Sequence, residues 1–164
     1  MSEFIHQQGP AFLAHLLRRL ADELVRAGAS WYPEVDVTAP PRTTSTLIAL
    51  DDRGPLGVTE IAALLGQSHP LVIGWIKQLT ERGFVDTQSD PQDGRRSIIV
   101  LTDEGRAEVG RLREALIIME RASRQLMDEV SPGMFEALWR MDEAVRRKTF
   151  IHRLREQART RSPT

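Results

Sequence analysis

The chain has 164 residues, a formal net charge of −1 and no cysteine. This length suits one globular domain, and the lack of cysteine excludes disulfides, thiolate metal sites and thiol-oxidation sensing. The N-terminus lacks a basic region followed by an apolar run, and no apolar stretch approaches the roughly 20 residues that span a bilayer. We therefore expect a cytoplasmic protein that is neither secreted nor inserted in a membrane.

Charge is distributed unevenly along the chain. Residues 42–97 carry six basic and seven acidic side chains, whereas residues 146–161 carry seven basic side chains and one acidic. Because the affinity of proteins for DNA depends largely on cationic contacts to phosphates, the total charge does not by itself favour a nucleic-acid partner. The basic C-terminal run is compatible with a solvated helix end or with a phosphate-binding arm.

The N-terminal region begins with an amphipathic pattern. Leucines recur at three- and four-residue steps, which predicts a helix over residues 11–27 that ends near Gly28. Residues 28–41 mix glycine, tryptophan, tyrosine and three prolines, a composition typical of an ordered connection. Pro41 then opens a predicted short helix over about residues 42–50.

Residues 59–83 have the pattern of two helices joined by a tight turn. Thr59 can cap the first helix, and Gly66 can end it in a left-handed conformation. Ser68 can cap the second helix, with Pro70 tolerated in its first turn. So short a connection predicts a helix-turn-helix. The apolar face of the second helix consists of Val72, Trp75, Ile76 and Leu79, and the opposite face of His69, Ile73, Gly74 and Lys77.

A hairpin and a long helix follow. Residues 84–87 and 98–101 have strand patterns and enclose a turn-rich loop, so a wing is predicted next to the helix-turn-helix. Thr102 can cap a helix that keeps apolar residues at helical spacing as far as Val130. A helix of this length needs a packing partner beyond a small core. Ser131-Pro132-Gly133 then interrupts the chain, with Pro132 suited to the first position of one last helix.

Several short motifs share an order and a spacing over about forty-five residues. They are Val58-Thr59-Glu60-Ile61-Ala62, Leu65-Gly66, Ser68-x-Pro70, Leu79-x-x-x-Gly83-Phe84-Val85, Asp90-Pro91-x-Asp93-Gly94-Arg95-Arg96 and Leu101-Thr102-x-x-Gly105. In this arrangement the chain resembles the MarR family of bacterial regulators. The resemblance implies a mainly α fold with a small β-hairpin wing. It implies a winged helix-turn-helix DNA-binding region over residues 42–101 and a helical dimerisation region over residues 1–41 and 102–164.

The same resemblance implies a homodimer that presents two recognition helices to a pseudo-palindromic operator in double-stranded DNA. The residues then expected to contact DNA are Thr43, Gln67, Ser68, His69, Ile73, Gly74, Lys77, Arg95 and Arg96. The Ser68 hydroxyl can cap the helix, contact a phosphate, or do both. Thr43 and its neighbour Thr44 can likewise serve as phosphate donors or as helix caps. Lys77 can reach a phosphate or only solvate the helix.

Ile73 and Gly74 depart from the family pattern, which usually has a small hydroxyl residue followed by a basic one. Ile73 could meet a thymine methyl group, and Gly74 could let the backbone approach the duplex. Alternatively, the lost donor and charge weaken DNA binding.

Arg95 matches the arginine that MarR relatives insert into the minor groove. Alternation along the hairpin sends Arg95 and Arg96 to opposite sides, so one of them can instead pair with Asp90 or Asp93. We expect Arg95 to be the DNA contact.

No catalytic motif accompanies the four scattered histidines, so neither enzymatic activity nor a metal or other cofactor is expected. The resemblance implies a small aromatic or lipophilic effector. A pocket for it, or else ordinary core, would be formed by Phe12, His15, Trp31, Tyr32, Leu116 and Met119. The predicted function is that of a dimeric transcriptional regulator, in its simplest form a repressor. The alternative is a winged-helix protein that acts through protein contacts, which the acidic balance and the Ile73-Gly74 departure favour.

Overall fold

The computed structural model describes residues 3–160, so Arg161, the last residue of the basic C-terminal run, lies outside the described residues. The elements are α1 (Glu3–Gln7), α2 (Leu13–Trp31), α3 (Thr44–Arg53), α4 (Val58–Leu65), α5 (His69–Glu81), β1 (Val85–Ser89), β2 (Ser97–Leu101), α6 (Asp103–Val130), α7 (Met134–Arg147) and α8 (Phe150–Thr160). This confirms a mainly helical fold with one antiparallel hairpin. The chain divides into two compact units, one up to Leu116 and one from Ile117 onward.

Helix α2 continues past Gly28, where the sequence predicted its end. Gly28 is buried, and a Cβ atom added to it would lie 3.9 Å from the ring of Pro41. Its carbonyl accepts the N–H of Tyr32, so the helix ends at Trp31 and a 3-10 turn follows. Gly28 is therefore a buried position within α2, where an added Cβ atom would make an ordinary van der Waals contact with Pro41, and it does not end the helix.

The helix-turn-helix forms as predicted, with one correction at its start. The N-cap of α4 is Gly57 and not Thr59, and the Gly57 N–H donates to Glu60 Oε2 at 2.7 Å. Gly66 ends the helix with φ of 62°. Helix α5 buries its predicted apolar face, and the largest fully buried side chains of the described residues include Leu47, Ile61, Leu79, Ile99 and Leu112.

The wing is fixed firmly at its base. In the hairpin Val85 pairs with Leu101, and Ile99 forms a further bridge with Leu56 outside the strands. Thr102 caps α6 as predicted, since its Oγ1 accepts the N–H of Gly105 at 2.9 Å. A Cβ atom at Gly105 would lie 2.0 Å from the carbonyl oxygen of Phe84, so only glycine allows α6 to start this close to the hairpin.

The C-terminal unit differs from the prediction of one last helix. Gly133, with φ of 78°, precedes α7, so Pro132 does not occupy the first helical position. Extended backbone at Lys148 then separates α7 from α8. The Arg153 guanidinium donates to the carbonyls of Ala144 (2.8 Å) and Lys148 (3.2 Å), which satisfies the carboxyl end of α7.

Helices at both ends of the chain leave apolar faces uncovered. The exposed large apolar side chains include Leu13, Leu16, Leu17, Leu20 and Leu24 of α2, Phe135, Leu138, Trp139, Met141 and Val145 of α7, and Phe150, Ile151 and Leu154 of α8. Exposed apolar faces on amphipathic helices are typical of sites of protein association. Among residues 3–160, no helix combines the length and the apolar character needed to cross a membrane.

Candidate nucleic-acid interface

The outward face of α5 is formed by the predicted recognition residues. Gln67, Ser68, His69, Ile73 and Lys77 are exposed, and Gly74 is partly exposed. Ser68 occupies the N-cap, but its side chain makes no capping hydrogen bond. The helix starts instead through its carbonyl, which accepts the N–H groups of Leu71 (3.1 Å) and Val72 (3.2 Å). The exposed Ser68 hydroxyl is therefore not engaged in capping.

The charge on this face is small. Lys77 Nζ lies 3.9 Å from Glu81 Oε1, and both side chains are exposed. Such a pair is weak and screened by salt, so Lys77 remains able to move to a phosphate.

The two wing arginines are in different environments. Arg96 lies 3.2 Å from Glu60 Oε2 and 3.9 Å from Asp90 Oδ2, so it joins the wing to α4. The Gly57 N–H and then Arg96 hold the pKa of the Glu60 carboxyl below its ordinary value of 4.5. Arg95 is exposed and forms no ion pair with any residue in the described range 3–160. The pairing of one arginine with Asp90 is thus confirmed, and Arg95 is the guanidinium left facing solvent.

The loop that carries Arg95 is held by local hydrogen bonds. The carboxylate of Asp90 accepts the N–H of Gln92 at 2.8 Å, and that of Asp93 accepts the N–H of Arg95 at 3.1 Å. The Arg96 N–H donates to the Asp93 carbonyl at 2.8 Å. These bonds fix the backbone of the wing tip while leaving the Arg95 side chain at the surface.

Thr43 was predicted as a DNA contact, and this prediction is wrong. The side chain is fully buried, and its hydroxyl donates to the Pro40 carbonyl at 2.8 Å. Thr44 is half-buried and donates in the same way to Pro41 at 2.9 Å. Both hydroxyls hold the turn that precedes α3, and Thr43 at the N-cap makes no side-chain capping hydrogen bond, so neither hydroxyl caps the helix.

The six predicted effector-pocket residues lie in separate places in the described part of one chain. Phe12 and His15 border a cavity of about 410 Å³ at the start of α2, together with His6 and Arg19. Trp31 and Tyr32 lie at the other end of that helix, where Tyr32 is buried and the ring centroids are 6.2 Å apart. At 1.5 Å per residue, about 24 Å of helix separates His15 from Trp31.

The remaining two pocket residues also lie elsewhere. Leu116 borders a separate groove of about 470 Å³ with Ile48 of α3 and Leu64 of α4. Met119 belongs to the C-terminal unit. The six residues are therefore spread over separate places in the chain because α2 holds its aromatic residues at opposite ends, and the buried Tyr32 belongs to the core.

A buried carboxylate that the sequence did not reveal connects the long helix α6 to the segment before α3. Glu108 is fully buried, and its Oε1 accepts the backbone N–H groups of Thr38 (2.6 Å) and Ala39 (2.5 Å). Its Oε2 accepts from the Arg111 guanidinium at 2.6 and 3.0 Å. At the end of α5, Arg82 donates to the Thr38 carbonyl at 2.8 Å. This chain of hydrogen bonds joins α6 to the recognition helix.

One signal in the sequence could have revealed Glu108. It lies four residues before Leu112 and therefore on the apolar face of α6, where an acidic side chain requires a partner.

Comparison with known proteins agrees with this fold. The MarR family model matches residues 36–96, from the segment held by Glu108 to the wing arginines. No curated protein sequence matches the chain significantly.

Three solved structures share the fold over most of their length. The PcaV transcriptional regulator of Streptomyces coelicolor, in complex with its natural ligand, is 25% identical, with 85% of this chain and 93% of that chain covered and a TM-score of 0.64. The transcriptional repressor CouR bound to a 23-mer DNA duplex is 26% identical, with 81% and 91% covered and a TM-score of 0.62. Bordetella bronchiseptica BpsR, whose DNA binding is regulated by 6-hydroxynicotinic acid, is 25% identical, with 80% and 91% covered and a TM-score of 0.63.

The family match covers the helix-turn-helix and the wing, and the structural matches extend over the helices on both sides of them. Residues 36–96 are thus similar to the MarR family model, and the fold over most of the chain is similar to that of solved transcriptional regulators.

Proposed function

We propose that the chain is a dimeric, sequence-specific regulator that binds operator DNA with α5 in the major groove and Arg95 in the minor groove. The observation that carries this proposal is that the two wing arginines have different contacts. Arg96 is held between Glu60 and Asp90, whereas Arg95 extends from a loop fixed by its own hydrogen bonds. A positioned guanidinium at a wing tip suits a narrow minor groove, whose negative potential attracts arginine.

The exposed apolar faces of α2, α7 and α8 support the dimer. Leu24 is 57% exposed and Trp139 is 54% exposed, although both lie on the apolar sides of amphipathic helices. A two-fold partner would cover these faces and place two recognition helices about one DNA turn apart. We therefore expect an obligate dimer in which residues 1–41 and 102–164 form the dimerisation region.

Repression and release by an effector are the finer parts of the proposal. A dimer bound across a promoter blocks transcription by occupying the site, and the similar protein CouR is a repressor. The cavity beside Phe12 and His15 is mostly apolar and also borders on Arg19, a combination suited to an aromatic carboxylate. For BpsR, 6-hydroxynicotinic acid regulates DNA binding.

The alternative function is a surface for protein contacts. It is favoured by the near-neutral charge of residues 42–97 and by the exposed Ile73 on the face of α5. A regulator with so few cations would bind DNA with a shallow dependence on salt, because each phosphate contact contributes to that slope.

A mobility-shift titration distinguishes the two functions. The duplex is taken from the promoter region of the chain's own gene, and an unrelated duplex of equal length serves as the control. Arg95→Ala is compared with Arg121→Ala, an exposed arginine of α6 outside the winged motif and outside the basic C-terminal run. The proposal expects a preferred complex that Arg95→Ala weakens and Arg121→Ala does not. Equal binding of the two duplexes by the wild type would overturn it.

A further inference from the structure

The outward side of α5 carries two consecutive residues that the fold of the chain does not require. Ile73 is 49% exposed, while Val72, Trp75 and Ile76 fill the core from the other side of the helix. A Cβ atom at Gly74 would meet no atom of residues 3–160 within 4 Å, and the backbone there is not left-handed. Neither packing nor backbone geometry within the chain explains these two residues.

Both residues weaken the helix that carries them. Glycine loses more conformational freedom in a helix than any other residue, and a β-branched side chain loses rotamer freedom. Close approach to another surface would account for both residues. An apolar side chain would meet an apolar group, and the missing Cβ beside it would let the backbone come near.

In the major groove the apolar group on a base edge is the C5-methyl of thymine. Helix α5 contains no arginine, so the bidentate contact from arginine to guanine is not available to it. Its one lysine, Lys77, lies 3.9 Å from Glu81. We infer that Ile73 selects thymine at a fixed position of each half-site through this methyl group, while Gly74 permits the approach. The inference rests on the proposed DNA-binding function.

Deoxyuridine in place of thymine tests the inference because it removes the methyl group and keeps base pairing and the O4 acceptor. Fluorescence anisotropy at fixed salt compares thymine and deoxyuridine forms of the promoter duplex. The wild type should lose about fourfold in affinity for each contacted methyl. Ile73→Ala should bind the thymine duplex more weakly than the wild type does, and should no longer distinguish the two duplexes.

Two further variants serve as controls. Leu71 is 43% exposed on the same helix but lies about 160° around it from Ile73, so Leu71→Ala should keep the full preference for thymine. Gly74→Ala should melt at or above the wild-type temperature, because the added methyl meets open space and favours the helix. It should nevertheless bind DNA more weakly, because the Cβ atom would occupy the space needed for approach.

Two results would overturn the assignment of Ile73. One is equal affinity of the wild type for both duplexes. The other is an equal loss on deoxyuridine for the wild type and Ile73→Ala, since the methyls would then act through DNA shape. A wild type that binds no promoter duplex would instead refute the proposed function and this inference with it. Melting curves establish that each variant folds, so the outcomes remain distinct.

Discussion

Replacement of Glu108 by alanine should destabilise the N-terminal unit strongly. The fully buried carboxylate accepts the N–H groups of Thr38 and Ala39 on one oxygen and the Arg111 guanidinium on the other. Without it, two backbone donors lose their acceptor, a cavity forms, and the guanidinium loses its hydrogen-bonded partner and keeps only Glu104 at 3.7 Å.

The expected size of the effect follows from these contacts. A buried donor left without a partner costs about 1–3 kcal/mol, and removal of one member of a buried ion pair costs about 3–5 kcal/mol. Because Arg111 is 36% exposed and water can reach it, we expect a loss near the lower limit, about 3 kcal/mol. Glu108→Gln keeps an oxygen for the two amides but turns an NH₂ group towards Arg111, so its loss should be about half as large.

Urea unfolding at one fixed protein concentration measures these losses, since the stability of the proposed dimer would depend on concentration. Glu114→Gln is the matched control because Glu114 is exposed on the same helix, and it should change the free energy of unfolding by less than about 0.5 kcal/mol. If Glu108→Ala unfolds within about 1 kcal/mol of the wild type, the hydrogen bonds of Glu108 do not stabilise the fold as described.

Three further predictions concern the wing and its base. Gly105→Ala should destabilise the chain by more than about 2 kcal/mol through overpacking. Gly110→Ala, on the same helix with open space around it, should be neutral or stabilising. Equal melting temperatures of the two variants would contradict this prediction. Arg95→Ala should lower DNA affinity without changing the melting temperature, and it should reduce the slope of log affinity against log salt concentration by about one unit per subunit. Arg96→Ala should also loosen the wing, which would be seen as faster amide exchange in the hairpin. The pKa of the Glu60 carboxyl is lowered from 4.5, so its contact with Arg96 is complete above pH 4.5 and is lost as the pH falls through the lowered pKa. Glu60→Gln should therefore reduce the acid dependence of amide exchange in the wing. Identical pH profiles for wild type and variant would refute the last prediction.

Local signals in the sequence predicted those elements whose ends depend on neighbouring residues. Gly66 ends α4 in the left-handed conformation, and Thr102 caps α6 through its own hydroxyl. The buried face of α5 also followed from its helical spacing alone. In each case the physical cause lies within one or two turns of chain, where sequence spacing and spatial distance coincide.

Features that depend on distant residues could not be predicted in this way. Gly28 is of the residue type that often ends a helix, but here it lies buried beside Pro41 and the helix continues. Glu108 is of a residue type that is usually solvated, but the amides that it binds lie 69 and 70 positions away. Thr43 has the position of a phosphate donor, yet the turn before α3 buries it. Packing partners, rather than local propensity, decide all three.

Chemical footprinting of the promoter duplex shows directly which groove each part of the protein occupies. We expect two protected major-groove patches about one helical turn apart, flanked by minor-groove protections. The flanking protections should disappear in Arg95→Ala while the major-groove patches remain. A duplex without protection at saturating protein, or minor-groove protections that persist in Arg95→Ala, would contradict the proposed mode of DNA binding.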